Sequence, residues 1–458
     1  MKHILSKYFF WLSITIVLSS CDSFVDVDLP QSQLTNVAVF NNNLTANAAL
    51  ADIYAKLRDG GITGGTNGIS VQLGAYTDEI TVSNGSQLPS LIFYNNTLLP
   101  STPNIATYWN AAYNQIYAIN SLIEQVDASG ALTAEQKKLL IGQALFIRGL
   151  LHFYLTNLFG DIPYIKETDY IKNRTVKRMT TELVYQNILA DLKESYLLLP
   201  ETYISAERIM PNKATCAALL ARVYLYQKNY LQAEAQASLV LGQTAQFSLS
   251  ESAKVFLNTS KETIWQFQSA VVGQNTNEAQ VFIFQSGPPT NFSLTPSLVN
   301  AFLPNDARKE NWIKSVTNGT NTWYHAYKYK EQNNTPTSKE YAIVLRLAEQ
   351  YLIRAEARAQ QGNLTGAKED LNKIRERAGI GNTSAQTKEE ILEAILKERK
   401  LEFFTEHGHR FFDLKRLDKL DATLSGVKPG WNSTDKLFPI PETELGVNPN
   451  LLPQNSGY

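Results

Sequence analysis

Glu398 and Glu402 stand four residues apart, and they continue the spacing of Ile391 and Ile395 on one helix face. Two carboxylates so placed suit glycoside hydrolysis, in which an acid and a base or nucleophile flank the scissile bond at about 5–9.5 Å. The neighbouring residues point elsewhere. Arg399, Arg410 and Arg416 are interleaved with Glu406 and Asp413, and guanidinium forks matched to carboxylates build buried structural networks. The expectation is a network that locks the end of a scaffold. His407 and His409 form a His-x-His pair, but a zinc site needs further ligands and the chain offers no credible third. His3, His152 and His325 show no ligand spacing. There is no Gly-x-Ser-x-Gly elbow, no phosphate-cradling glycine loop and no His-Glu-x-x-His. Catalytic residues, metal and cofactor are therefore expected to be absent.

The chain has two cysteines with different prospects. Cys21 follows Lys2 and Lys7, an apolar run from Tyr8 to Leu18, and then Ser19 and Ser20. A charged start, a short apolar core and small residues before the cut define a secretory signal peptide over 1–20. That apolar core is too short to span the roughly 30 Å of bilayer hydrocarbon. A cysteine at the cleavage point accepts a diacylglyceryl group, and more than one lipid chain gives stable anchoring. The expectation is a lipoprotein tethered to a membrane through Cys21. Cys216 is then left without a partner, and its setting in Ala214–Leu220 reads as a buried structural thiol.

Aromatic residues are plentiful, with 22 Tyr, 20 Phe and 6 Trp. Those outside the helical segments offer a second kind of chemistry. Sugar rings present apolar faces that stack on aromatic walls, while amides, carboxylates and guanidinium groups bond their hydroxyls. Tyr76, Asp78, Tyr94 and Asn96 in one loop-rich stretch, and Phe292, Trp312, Trp323 and Tyr324 in another, are the candidate ligand-binding residues. Trp109 and Trp265 are assigned to the core, and Trp431 lies in an irregular tail.

The elements that must position these groups are mostly helical. Apolar spacing predicts helices over Asn43–Leu57, Tyr108–Val126, Glu135–Leu158 and Thr181–Leu199, the third ended by Gly160 and Pro163. Ala221–Ala233 aligns with Ala355–Ala367, each a helix, a turn at Lys228-Asn229 or Gly362-Asn363, and a second helix with Ala in its first turn. This is the pattern of tetratricopeptide-type helix pairs. Thr387-Lys388-Glu389-Glu390 reads as a capping box opening the last helix, which runs to about Glu406. The scaffold is predicted over about 41–247 and 340–420. It is interrupted by irregular excursions over about 60–107 and 248–339, where Ile264–Phe267, Val281–Phe284 and Thr322–Tyr324 read as short strands. The fold class expected is mainly α, with long loops and a few short strands, in one unit over 21–458. With 44% hydrophobic and 19% charged residues and a net charge of −1, the chain lacks the basic field that holds nucleic acid.

In order along the chain stand Ala144-Leu145-Phe146-Ile147-Arg148-Gly149 running into Leu158-Phe159-Gly160-Asp161-Ile162-Pro163, Leu345-Arg346-Leu347-Ala348-Glu349, and Leu371-Asn372-Lys373-Ile374-Arg375-Glu376-Arg377-Ala378-Gly379. Glu398-Arg399-Lys400-Leu401-Glu402, Gly408–Arg416, Phe438-Pro439-Ile440-Pro441 and Gln454–Tyr458 follow. Together they resemble the SusD/RagB family of nutrient-binding outer-membrane lipoproteins of Bacteroidetes. The resemblance implies about four tetratricopeptide-like helix pairs, exposure on the cell surface through the lipid anchor, and a SusC-like TonB-dependent barrel as partner. It implies capture of an oligosaccharide or polysaccharide, or in some members a peptide, for delivery to that barrel. The shared motifs mark scaffold, so the contact residues rest on aromatic chemistry and loop location alone.

Overall fold

The computed structural model describes residues 40–83, 85 and 89–458. Cys21 and the expected signal peptide lie outside them. The helices that carry the architecture are α1 (Asn43–Asp59), α2 (Ile69–Tyr76), α3 (Pro103–Ala128), α4 (Ala134–Phe159), α5 (Thr181–Leu198), α6 (Lys213–Tyr226) and α7 (Tyr230–Leu241). After the second excursion come α8 (Ala307–Trp312), α9 (Leu347–Gln360), α10 (Leu364–Arg377), α11 (Lys388–Phe403) and α12 (His409–Arg416). Successive helices pack in a continuous stack: α3 on α4, α4 on α5, α6 on α7, α7 on α9, α9 on α10, and α11 against both α9 and α10. The fold is mainly α, as the spacing predicts, and its pairing is consistent with tetratricopeptide-like units.

The aligned repeat is visible in backbone geometry. Asn229 and Asn363 cap α7 and α10 with near-identical dihedrals, φ −84° and ψ 74° against φ −81° and ψ 73°. Lys228 and Gly362, just before them, share positive φ. Ala233 and Ala367 are both fully buried. Because an Ala in that turn adds little bulk, the second helix of each unit lies close to its neighbour. Between α4 and α5 the same service comes from glycine: a Cβ on Gly142 or Gly149 would stand 3.0 Å from Leu199 or Leu192. Among the described residues, α4 is the helix long and apolar enough to cross a membrane. It is buried inside the stack, which accounts for its apolar character.

Several helix contacts also carry an ion pair. Arg148 on α4 grips Asp191 on α5 through two bonds of 2.7 Å and reaches Asn120 on α3 at 2.8 Å. Arg222 on α6 grips Glu349 on α9 through two bonds of 2.7 Å. Arg354 and Asp370 join α9 to α10, and Arg399 and Asp413 join α11 to α12. Paired forks of this kind fix the register of one helix on the next more than they add stability.

Cys216 sits on α6 with no exposure. Burial pushes its thiol up to about 12, against a small opposing effect of the Ser195 hydroxyl at 3.1 Å. Maleimide labelling of the native protein, read by peptide mass spectrometry, is expected to leave Cys216 unmodified until denaturant is added. Labelling at the same rate with and without denaturant would contradict its burial.

Several boundaries differ from those predicted. The stretch over 60–107 is not one irregular loop, because it holds α2, the short helix Ser90–Tyr94 and the first turn of α3. All eight residues of α2 are buried, so it shows no polar face and no helical period. Pro103 opens α3 from the N-terminal position where its missing N–H costs nothing. Val281–Phe284, read as a strand, lies largely in the helix Asn277–Phe282. The Thr276 side chain accepts from Ala279 N there, and this local cap prevails over the β-propensity of Val and Phe. The helix α5 starts at Thr181 as predicted, with Thr180 as its cap. The capping box at Thr387 forms as predicted, but α11 ends at Phe403 and α12 follows it. Gly408, φ +70°, admits the turn between them, and a Cβ there would meet Leu73 Cδ1 at 2.3 Å.

Candidate functional site

Among the described residues, β1 (Ile80–Val82), β2 (Thr263–Phe267), β3 (Phe292–Leu294), β4 (Ile313–Thr317), β5 (Thr322–Ala326) and β6 (Ala342–Arg346) form three antiparallel pairs. One pair decides the geometry of the site. β1, from the first excursion, bonds to β3, from the second, with Ile80 opposite Leu294 and Val82 opposite Phe292. Ser83 N extends the ladder by donating to Asn291 O at 2.9 Å. The helix Ser90–Tyr94 packs against β1, and β5 packs beside β3. Two segments separated by some two hundred residues thus form one row of elements, with the β4–β5 hairpin at its end.

The hairpin presents two different faces. Tyr324 and Ala326 point into a second hydrophobic cluster, in which Ala326 and Ile313 are buried and Tyr324 is half-buried. On the other face, Trp323 lies against Gly287, where a Cβ would come within 2.2 Å of the indole ring. His325 stands on that same face, with Phe284 edge-on at 5.0 Å and Tyr327 at 5.8 Å. Lys314 Nζ lies 5.2 Å from the Tyr327 ring. Burial lowers the His325 pKa, with Lys314 adding to the effect against its bond to Ala326 O. The aromatic group therefore includes Phe284, His325 and Tyr327, which the sequence reading did not select. The alternation of Trp323 and His325 along β5, with Tyr327 just past its end, was the available signal.

The eight loop candidates divide sharply. Tyr94, Trp323 and Tyr324 are half-buried on the row of converging elements. The other five lie inside the fold, which corrects their expected place in open loops. Tyr76 has no exposure and is ringed edge-on by Phe93, Phe411, Trp431 and Phe438 at 5.4–6.1 Å. That contact also places Trp431, whose Nε1 donates to Asp421 at 2.8 Å. Asn96 is buried and donates to Tyr76 O. Phe292 is buried in the β1–β3 pair. Trp312 is fully buried, donates to Ser252 O at 2.7 Å, and has Lys328 at 5.0 Å and Arg377 at 5.3 Å from its ring. Asp78 bonds Arg410 at 2.8 Å and Lys400 at 2.7 Å. Burial would raise its pKa, but these two cations prevail and hold it far below the usual carboxylate range. Asp78 thereby ties the start of β1 to α11 and α12, a positioning task.

Tyr94 carries an unusual neighbour. Lys428 Nζ sits 3.8 Å from its ring centroid and donates to Ala75 O. Burial lowers this lysine to about 7, with Asp78 acting weakly in the opposite direction. The ring is thus held from below by a cation–π contact.

Glu398 and Glu402 are sealed. Glu402 meets Arg308 at 3.0 Å and Arg346 at 2.6 Å, and also pairs with Arg377. Glu398 meets Arg308 at 2.6 Å and Arg375 at 3.1 Å. Both carboxylates are buried. Burial opposes ionisation of Glu402, but Arg377, Arg346 and Arg308 outweigh it and keep the group ionised. A proton-donating role needs the opposite shift. Arg308 belongs to the second excursion and Arg346 ends β6, so this network joins the scaffold to the loop-bearing part. His407 and His409 are buried too, His407 Nε2 against Ile343 O at 2.8 Å. Among the described residues no group of three or more His, Cys, Asp or Glu is placed to hold a metal.

A helix-pair scaffold thus carries aromatic-bearing loops gathered on one row of strands. Comparison with known proteins gives the family. A model described as starch-binding associating with outer membrane matches residues 23–225, and the SusD family model matches residues 307–436. A SusD-like protein of Formosa agariphila is 28% identical over 80% of this chain and 83% of its own. A SusD superfamily structure from Bacteroides vulgatus superposes with a TM-score of 0.80 at 22% identity, covering 92% of this chain and all of the other. A laminarin-binding SusD-like protein superposes with a TM-score of 0.78 at 25% identity over 91% of this chain. The chain belongs to the SusD/RagB family of carbohydrate-binding proteins, which is associated with the outer membrane and cell surface.

Proposed function

We propose that this protein is a cell-surface lipoprotein, anchored through Cys21, that captures oligosaccharides or polysaccharides and delivers them to a SusC-like TonB-dependent transporter. The observation that carries the reading is the β1–β3 pairing, which gathers both loop excursions and the half-buried Tyr94, Trp323 and Tyr324 onto one row of elements in a chain of this family. Stacking on such rings with amides and hydroxyls nearby is how a saccharide is held without turnover. The peptide-binding alternative shares the same aromatic surface. The glycosidase alternative is disfavoured by the sealed state of Glu398 and Glu402.

Calorimetry of the full-length protein against maltohexaose, laminarihexaose and a tryptic peptide mixture tests the reading. Saturable binding of a hexaose is expected. Trp323→Ala should weaken it by about three- to tenfold, the equivalent of one aromatic contact, with the thermal midpoint nearly unchanged. Peptide binding with no saccharide binding would replace the proposed ligand class.

A further inference from the structure

A groove of about 460 Å³ lies away from the converging loops, between α3, the segment around Pro163–Val176 and the tail segment Glu444–Leu451. None of its lining residues belongs to the strands or to the Ser90–Tyr94 helix. One wall is a single face of α3. Asn110, Tyr113, Asn114 and Tyr117 follow at i, i+3, i+4 and i+7, which places their side chains in one stripe. Tyr113 is fixed, because its hydroxyl donates to Pro163 O at 2.8 Å and Trp109 packs on its ring at 4.8 Å. Tyr117 is 53% exposed. The opposite side of the groove carries Arg174 and Glu444.

The polar groups here are unspent. Among the described residues the side chains of Asn110, Asn114, Arg174 and Glu444 make no hydrogen bond or ion pair, although both charge signs line the same groove. Several buried carboxylates in this fold, such as Asp78, Asp370 and Asp413, are matched to Arg or Lys, whereas Glu444 is not. The groove therefore combines an exposed aromatic ring, two free amides, an unpaired carboxylate and an unpaired guanidinium, in a volume within the range of about 300–1,000 Å³ typical of ligand sites. A ligand that bridges this set must bring an apolar face together with several groups that both donate and accept. A pyranose ring has that composition. A purely apolar or purely anionic ligand would leave Glu444 or the amides without partners.

We infer that this scaffold groove is a second saccharide-binding site, with Tyr117 as the stacking platform and Asn110, Asn114, Arg174 and Glu444 as the hydroxyl-bonding groups. The ligand class rests on the saccharide reading above, whereas the position is independent of the loop face. Two sites on one chain give a polymer two points of attachment, so a long glycan is held more tightly than either site alone would hold it.

The test is calorimetry of the full-length protein with maltohexaose, laminarihexaose and a tryptic peptide mixture, in Trp323→Ala, Tyr117→Ala and Asn114→Ala variants. Tyr117 and Asn114 are exposed, so their variants should keep the native thermal midpoint. The expected result is saccharide binding that persists in Trp323→Ala and weakens about three- to tenfold in both Tyr117→Ala and Asn114→Ala, a loss on the scale of one aromatic contact. Binding lost in Tyr117→Ala but indifferent to Trp323→Ala would keep the groove and remove the loop site. Binding that responds only to Trp323→Ala would overturn the groove and keep the loop site. Binding at the groove by peptides alone, or no saturable saccharide binding, would overturn the inference.

Discussion

Glu402→Ala is expected to lower the free energy of unfolding by about 3–5 kcal/mol, because it removes one partner from a buried ionic network and leaves the others uncompensated. Three guanidinium groups converge on this carboxylate: Arg308 from α8, Arg346 at the end of β6 and Arg377 at the end of α10. Glu262, Glu406 and Asp306 remain to share them, but none can reach all three from the position of Glu402 on α11. Glu402→Gln, which keeps an acceptor and the shape of the side chain, should cost less, about 1–3 kcal/mol. Equilibrium denaturation in urea measures both, with the slope of the transition checking that a single cooperative unit unfolds. The sign of the pH effect is fixed by the depressed pKa of Glu402 and Asp78. Their contribution is fully present above the unfolded value near 4 and is lost as pH falls below it. The acid limb of the stability curve should accordingly be shallower in Glu402→Ala. Native stability in Glu402→Ala, or loss of sugar release from a glycan in a fully stable Glu402→Gln, would revive a catalytic role for this pair.

Trp312→Ala should be destabilising on a similar scale, about 3–5 kcal/mol, as expected for deleting a fully buried indole that its surroundings cannot refill. Trp312 lies at the end of α8, edge-on to Phe256 at 5.5 Å, and its Nε1 satisfies Ser252 O. It also shields the arginine network, since Arg377 and Lys328 lie over its ring. The comparison with Trp323→Ala separates the two tryptophans that looked equivalent in sequence. Trp312→Ala is expected to shift the denaturation midpoint while the remaining folded protein binds saccharide with unchanged affinity. Trp323→Ala is expected to do the reverse. A Trp312→Ala protein with native stability and lost binding would return this residue to the ligand surface.

The helical class, the repeat at Ala221–Ala233 and Ala355–Ala367, the capping box at Thr387 and the structural role of the Glu398–Arg416 cluster were all legible in the sequence. The first three depend on interactions between residues close in the chain, whereas the partners of Glu398 and Glu402 come from Arg308, Arg346, Arg375 and Arg377, which residue order does not display. Helical spacing and a cap three residues from its partner are local events that residue order displays. The repeat was legible because both copies must solve the same packing problem with a small Ala and a tight turn.

Burial in the loop-rich stretches was not legible. Tyr76, Asn96, Phe292 and Trp312 share residue types and flanking composition with Trp323 and Tyr324, and only the partners brought by the fold tell them apart. Tyr76 meets Phe411 and Phe438 from the far end of the chain, and Asp78 meets Lys400 and Arg410. The pairing of β1 with β3 rests on three residues in each strand, too few for a period to show. The groove on α3 was hidden for the same reason. Its stripe of Asn and Tyr reads as an ordinary solvated helix face until the Pro163–Val176 segment and the tail supply the opposite side. By itself the sequence determined the helices and helix pairs of the scaffold, because those choices are made among near neighbours. The tertiary structure alone decided which aromatic residues are left at the surface, because exposure is a property of everything that packs around a side chain.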